Sequence, residues 1–142
     1  MKAVDLKRSY YRQLLPGLAA VVLAGTARAA GLQSATTNAR LLGVVFFVSA
    51  IALAAAVPVF VRAAFAHRVR LNRRVAEADF IQFQLRVMRT ALLSVYLVPA
   101  GLLIELTGFH QTGIFLSALY AMYYHFPSDR RIGFDRRIFR VQ

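Results

Sequence analysis

Two long runs without a charged side chain, separated by a cluster of arginines, constrain the fold of this sequence most. Residues 41–60 carry no charge, and neither do residues 91–104. A helix needs about 20 mostly apolar residues to cross the roughly 30 Å hydrocarbon core of a bilayer. The arginines between the runs are Arg62, Arg68, Arg70, Arg73, Arg74, Arg86 and Arg89. We therefore predict a helical hairpin that crosses a membrane, turns in water and crosses back.

The composition favours one membrane domain over residues 1–142. Of the 142 residues, 58% are hydrophobic, a larger share than in average soluble domains. The net charge of +12 would point to nucleic acid in a soluble protein. Because the charges here are segregated between apolar runs, we expect phospholipid headgroups to be the anionic neighbour and nucleic acid not to be a partner. The sequence has no cysteine, which excludes disulfides and thiolate metal sites.

Four apolar segments predict an all-α, four-helix bundle that is integral to a membrane. The expected spans are residues 14–32, 41–65, 90–109 and 112–126. Pro58 and Pro99 lie inside the second and third spans, where each removes one backbone hydrogen bond and bends the helix. Neighbouring helices can satisfy the carbonyl groups that a proline frees in lipid.

The first segment has two interpretations. A basic start, residues 1–13, precedes an apolar run that Arg28 interrupts. This order is typical of a retained transmembrane helix with its basic end in the cytoplasm. It is also typical of a signal peptide, for which Ala27-Arg28-Ala29 would be the small-x-small cleavage site. We expect the retained helix, and cleavage stays the alternative.

The distribution of lysine and arginine predicts the orientation. Four precede the first span, one lies in the first loop, seven surround the second loop, none lies in the third loop, and five lie in the tail. The positive-inside rule places both termini and the second loop in the cytoplasm, and we expect a bacterial inner membrane. Five aromatic residues fall at the same interface, where aromatic belts occur: Tyr10, Tyr11, Tyr123, Tyr124 and Phe126.

Two basic segments flank the spans on the cytoplasmic side. Residues 66–89 are amphipathic, with a turn expected at residues 72–74, so the second and third helices should continue as a short stalk. A helix lying flat on the headgroups is the alternative. Residues 127–142 form a basic tail with the echo Asp-Arg-Arg-Ile.

Eight arginines of these segments should face the cytoplasm: Arg68, Arg70, Arg73, Arg74, Arg130, Arg131, Arg136 and Arg137. Anionic lipid attracts a basic residue near its surface by about 1 kcal/mol. We therefore expect this surface to contact anionic headgroups or an acidic face of a protein partner.

Glu105 is the only acidic residue in the predicted spans, and a charge in hydrocarbon is a candidate for function. Counted along a helix, Glu105 lies roughly 22 Å above Thr90 and Arg28 roughly 21 Å above Leu14, at about 1.5 Å per residue. The equal depths predict an intramembrane Arg28–Glu105 ion pair. There are two alternatives to this pair. In the first, both side chains reach outer headgroups or water independently, and in the second, Glu105 couples proton or ion movement.

Small residues recur at a spacing of four in the fourth span, at Gly113, Ser117 and Ala121. Such a stripe permits close packing of helix backbones. The partner helix belongs either to the same chain or to an oligomer.

We find no catalytic, cofactor-binding or metal-binding pattern, and we expect a non-enzymatic protein. The first hypothesis is a membrane subunit or scaffold that packs with another membrane protein, or with copies of itself, and presents basic surface inside. The alternative is a small transporter or channel component that uses Glu105 in a polar path. Few polar residues occur in the spans, which disfavours the alternative because conducting paths need polar linings.

Overall fold

The computed structural model describes residues 3–32, 34, 37–71, 75–139 and 141. These residues are helical throughout, apart from short turns and two isolated bridges, which confirms the all-α prediction. The helices are α1 (Ala3–Ala29), α2 (Ala39–Ile51), α3 (Val57–Leu71), α4 (Glu77–Leu103), α5 (Gly108–Tyr124) and α6 (Asp129–Ile138). A π-helical segment, Ala52–Ala56, joins α2 to α3.

Two continuous helices are long and apolar enough to cross a bilayer. The stretch Ala39–Arg70, which runs through α2 and α3, reaches a mean hydropathy of 2.7, and α4 reaches 1.3. Only 17% of the most apolar window of the first helix is buried within the protein. Two candidate spans are thus confirmed by length and composition, while a bundle of four spans stays a prediction.

The connector between these helices is helical on both sides. Helix α3 continues to Leu71 and α4 begins at Glu77, as expected for helices that extend beyond the apolar runs. The predicted turn at residues 72–74 lies outside the described residues.

Helix α4 is the central element of the fold. It packs against α1, α2, α3, α5 and the π-helical segment. Its Leu92 and Val95 contribute to a core with Leu14 of α1, Ala50 of α2 and Ile114 of α5. Since apolar side chains occur on several faces of α4, the other helices can surround it.

Helix α1 is part of this bundle. Leu6, Tyr10 and Leu14 are buried, and they recur at the four-residue spacing that places side chains on one helical face. Near Pro16, whose ring disrupts helical hydrogen bonding, the Tyr96 hydroxyl of α4 donates to the Gln13 carbonyl at 2.6 Å.

A second core lies at the end of the bundle where α3 and α4 meet α6. The rings of Phe65 and Phe83 stack at 4.1 Å between centroids, and Phe139 contacts both rings edge-on. Ile132 of α6 is buried in the same cluster. The basic tail predicted from the sequence therefore contains a helix that packs back onto the bundle.

A side chain at the end of α5 compensates for a hydrogen bond that a proline of the second span cannot make. Pro58 has no N–H, so it cannot donate to the Ala54 carbonyl four residues earlier. The Nε2 atom of His125, just after α5, lies 3.1 Å from that oxygen. A protonated Nε2 can thus donate the bond that Pro58 cannot. Pro99 also lies within a continuous helix, α4.

The small-residue stripe of α5 packs within the chain at two of its three positions. A side-chain carbon at Gly113 would overlap the Phe47 ring of α2. Ala121 is buried with Ala54 and Ala91. The Ser117 hydroxyl donates to the Gly113 carbonyl of its own helix at 2.8 Å.

We predict that Gly113→Ala lowers the free energy of unfolding by about 1–3 kcal/mol, the usual cost of overpacking. Gly108→Ala is the matched control, because a side-chain carbon there meets nothing within 4 Å. Thermal unfolding in mild detergent measures both variants. Equal melting temperatures for the two variants would contradict close α2–α5 packing at Gly113.

Candidate functional site

The most polar part of the described interior surrounds Asp135 of α6. This residue is only 2% exposed. Its carboxylate forms an ion pair with the Arg62 guanidinium of α3 and accepts a hydrogen bond of 2.8 Å from Gln84 Nε2 of α4. A buried carboxylate is costly unless it is paired and hydrogen-bonded. Asp135 meets both conditions, so it fixes α6 against α3 and α4.

Two further ion pairs link α6 to the bundle at its surface. Lys7 Nζ of α1 lies 2.8 Å from the Asp129 carboxylate, and Arg136 pairs with Glu77 at the start of α4. Exposed pairs of this kind contribute little stability by themselves.

The opposite side of α6 is exposed and carries both charge and apolar surface. Arg130, Phe134, Arg137 and Ile138 are exposed and occur at the spacing of one helical face. We call these four residues the outer α6 face. Arginine with apolar side chains on one face is typical of helices that lie at a membrane interface.

A cavity of about 90 Å³ lies beneath α6. Its lining is mixed: Arg62, Gln84, His125, Arg131 and Asp135 are polar, and Leu6, Ala55, Pro58, Val59, Met88, Tyr120 and Ile132 are among the other side chains. Arg62 and Gln84 contact Asp135, and Pro58 and Met88 lie one helical turn away from them along α3 and α4. We call the part of the cavity at Arg62, Gln84 and Asp135 its polar end and the part at Ala55, Pro58, Val59 and Met88 its apolar end.

Arg131 contacts an aromatic ring, whereas Arg62 forms an ion pair. Its guanidinium carbon lies 4.3 Å from the centroid of the Tyr124 ring, a cation–π arrangement. Among the described residues Arg131 has no acidic partner within ion-pair distance. Its charge is thus available to an anion in the cavity.

Tyr10 of α1 forms a hydrogen bond with the last turn of α5. Its hydroxyl donates to the Met122 carbonyl at 2.8 Å, one of the last-turn carbonyls that lack a partner in their own helix. Burial, together with the charge of Tyr11, raises the pKa of Tyr10 above its usual value of 10.0. The hydroxyl therefore stays a donor at neutral pH.

At the opposite end of the bundle the structure pairs Arg28 with Gln111 rather than with Glu105. Arg28 Nη1 donates to Gln111 Oε1 at 2.8 Å. Helix α4 ends at Leu103, so Glu105 lies in an exposed turn. Because α4 is continuous from Thr90 to Leu103, the depth counted for Glu105 changes little. The difference lies in the contacts, since Glu105 is exposed in the turn and Arg28 donates to Gln111.

The eight predicted surface arginines fall into three groups. Arg68, Arg70, Arg130 and Arg137 are exposed. Arg131 lies against Tyr124 and Arg136 against Glu77. Arg73 and Arg74 lie outside the described residues.

Within the described residues, no three histidine or acidic side chains are grouped so as to hold a metal ion. Comparison of the sequence and structure with protein-family models, curated proteins and solved structures gives no match.

Sequence reasoning missed the cluster of Arg62, Gln84, His125 and Asp135. One local signal for α6 was present: Ser128 follows Pro127 and accepts a hydrogen bond from the Arg131 N–H at 3.3 Å, as a helix N-cap does. Ile132, Asp135 and Phe139 then recur at steps of three and four. This periodicity marks a buried face and places Asp135 on it.

We predict that Asp135→Asn weakens the attachment of α6 by about 1–3 kcal/mol, the usual cost of losing a charged partner in a buried hydrogen bond. The measurement is the rate of limited trypsin cleavage at the arginines of α6, which should rise. Asp129→Asn removes the same charge from an exposed pair and should leave the rate unchanged. If both variants are cleaved at the wild-type rate, Asp135 does not hold α6.

Proposed function

We propose that this chain is a small integral membrane protein with four spans, within α1, the α2–α3 helix, α4 and α5, and with both ends in the cytoplasm. It acts as a non-enzymatic subunit or scaffold. It packs with another membrane protein and presents a basic surface to anionic headgroups or to an acidic partner.

One observation supports this proposal most: large apolar side chains are exposed along three helices around α4. They are Leu15, Leu18, Val22 and Leu23 of α1, Leu41, Val44, Val45, Val48 and Ile51 of α2, and Phe115, Leu116, Leu119 and Tyr120 of α5. We call these residues the apolar belt. In water a contiguous belt of this kind would be unfavourable, and soluble monomers rarely expose one. Lipid or a partner helix covers it without cost.

The lengths of α1 and α5 are compatible with spanning. Helix α5 has 17 residues, or roughly 25 Å at about 1.5 Å per residue, so the bilayer thins locally around it. Helix α1 has 27 residues, and its buried contacts with the bundle favour a retained helix over a cleaved signal peptide.

The charges support the inward orientation of α6. Arg68 and Arg70 lie at the end of α3, and Arg130 and Arg137 lie on the outer α6 face. These exposed cations belong to the end of the molecule that the positive-inside rule assigns to the cytoplasm. They form the basic surface that a scaffold of this kind would present.

The transporter alternative gains no support from the geometry. Glu105 is exposed in a turn, and Ser94, whose hydroxyl donates to a carbonyl of its own helix, is the one buried serine that accompanies the apolar core in the described part of α4. A conducting path would need polar groups along it.

The scaffold role predicts that a partner co-purifies in mild detergent through the outer α6 face. Arg130→Glu combined with Arg137→Glu should reduce the co-purified protein at least fivefold, because each arginine near an acidic surface becomes a repelling charge. Arg40→Glu is the control, since it makes one such charge reversal in the first turn of α2, away from α6. Mass photometry and gel analysis measure the complex.

Two results would contradict the scaffold role. One is a wild-type protein that purifies alone as a single 15.8 kDa chain. The other is a double variant that retains its partner as fully as Arg40→Glu does.

A further inference from the structure

We propose that the cavity beneath α6 binds one anionic phospholipid, whose phosphate contacts Arg131 and Arg62 and whose acyl chains leave between α3 and α5. This inference rests on the proposed membrane location. It goes beyond a general basic surface, because it names one site and one ligand class.

The cavity opens sideways from the bundle. Helix α3 packs on α4 and on the π-helical segment but has no extended contact with α5. Val59 of α3 and Tyr120 of α5 line the cavity from opposite walls, and they are 65% and 44% exposed. A ligand can therefore reach the cavity from the lipid without passing through the core.

The depth of the opening fits a lipid headgroup. Pro58 and Val59 lie in the apolar helix Ala39–Arg70, and Arg62 follows one helical turn later at the start of the basic segment. The polar end of the cavity is thus at the boundary where a bilayer places its phosphates. Its apolar end faces the acyl chains.

The charges select an anion. Two guanidinium groups, Arg62 and Arg131, face one carboxylate, Asp135, so the cavity carries a net charge of about +1 with His125 neutral. Arg62 uses one of its N–H groups on Asp135, and a guanidinium has five. The Arg131 guanidinium carbon lies 4.3 Å from the centroid of the Tyr124 ring, a contact that uses none of the guanidinium N–H groups as hydrogen-bond donors to an oxygen, so they can donate to a phosphate.

The same groups disfavour a zwitterionic lipid. A choline or ethanolamine group finds no free carboxylate here, since the one carboxylate of the cavity already accepts from Arg62 and Gln84, and the two arginines repel its positive charge. The volume of about 90 Å³ accommodates a phosphate and not a whole lipid. The acyl chains must therefore lie along the apolar wall at Ala55 and Val59.

Native mass spectrometry of the full chain tests the site. The protein is purified in detergent that contains equal amounts of phosphatidylglycerol and phosphatidylcholine with identical acyl chains. We expect one phosphatidylglycerol per chain. Arg131→Gln should reduce this bound lipid roughly fivefold or more, the effect of one basic residue near anionic lipid. Ala55→Leu should reduce it similarly by filling the apolar end.

Each variant has a neighbouring control. Arg130→Gln removes the same charge from the outer α6 face, and Ala56→Leu adds the same volume at an exposed position beside the cavity. Both controls should retain the lipid. Thermal unfolding of all four variants in lipid-free detergent separates loss of the site from loss of the fold, and Arg131→Gln tests the site even if Ala55→Leu unfolds.

Three results would overturn the proposal: no phosphatidylglycerol on the wild type, equal binding of phosphatidylcholine, or equal lipid retention by Arg131→Gln and Arg130→Gln. These results would not contradict the membrane spans or the scaffold role. Spin labelling tests the spans, and co-purification of a partner tests the scaffold role. Failure of the chain to enter a bilayer would instead overturn the proposed function itself.

Discussion

The apolar belt on α1, α2 and α5 is the constraint on which the rest of the structure depends. The other helices pack around most sides of α4. They themselves carry large apolar side chains that no other described part of the chain covers. The hydrophobic effect opposes this arrangement in water. In lipid the belt costs nothing, and close packing at Gly113 and Ala121 is among the contacts that hold the helices together. The polar groups can then be confined to the two ends of the bundle.

The end of the bundle that carries α6 is organised around one buried carboxylate. Asp135 connects α6 to Arg62 and Gln84, and α6 in turn closes the cavity beneath it. The same helix exposes Arg130, Phe134 and Arg137 on its other side. One face of α6 therefore packs on the bundle, while the other is exposed. His125 adds a second link there, because it reaches the carbonyl that Pro58 leaves without its usual donor.

Local patterns in the sequence predicted helical segments for α1 to α5, but they predicted neither α6, whose residues were expected to form a basic tail, nor the contacts between distant segments. Apolar runs and the amphipathic connector predicted helices that continue past Phe65 and start before Thr90. The tail could not be placed, because its position depends on Asp135 meeting Arg62, 73 residues earlier in the chain. Arg28 and Glu105 were matched by counting helical rise, but Glu105 is exposed in the turn after α4. Arg28 meets Gln111 instead.

Depth-resolved spin labelling in phospholipid vesicles tests most directly whether four helices lie in lipid. The sequence has no cysteine, so single labels can be placed at Val22, Val45, Leu93 and Leu116, which are exposed on α1, α2, α4 and α5. We expect dissolved oxygen to relax all four labels more than a water-soluble nickel complex does, and the reverse for a label at Arg137. Stronger relaxation by nickel at Val22 or Leu116 would show that α1 or α5 lies in water and would contradict the four-span membrane bundle.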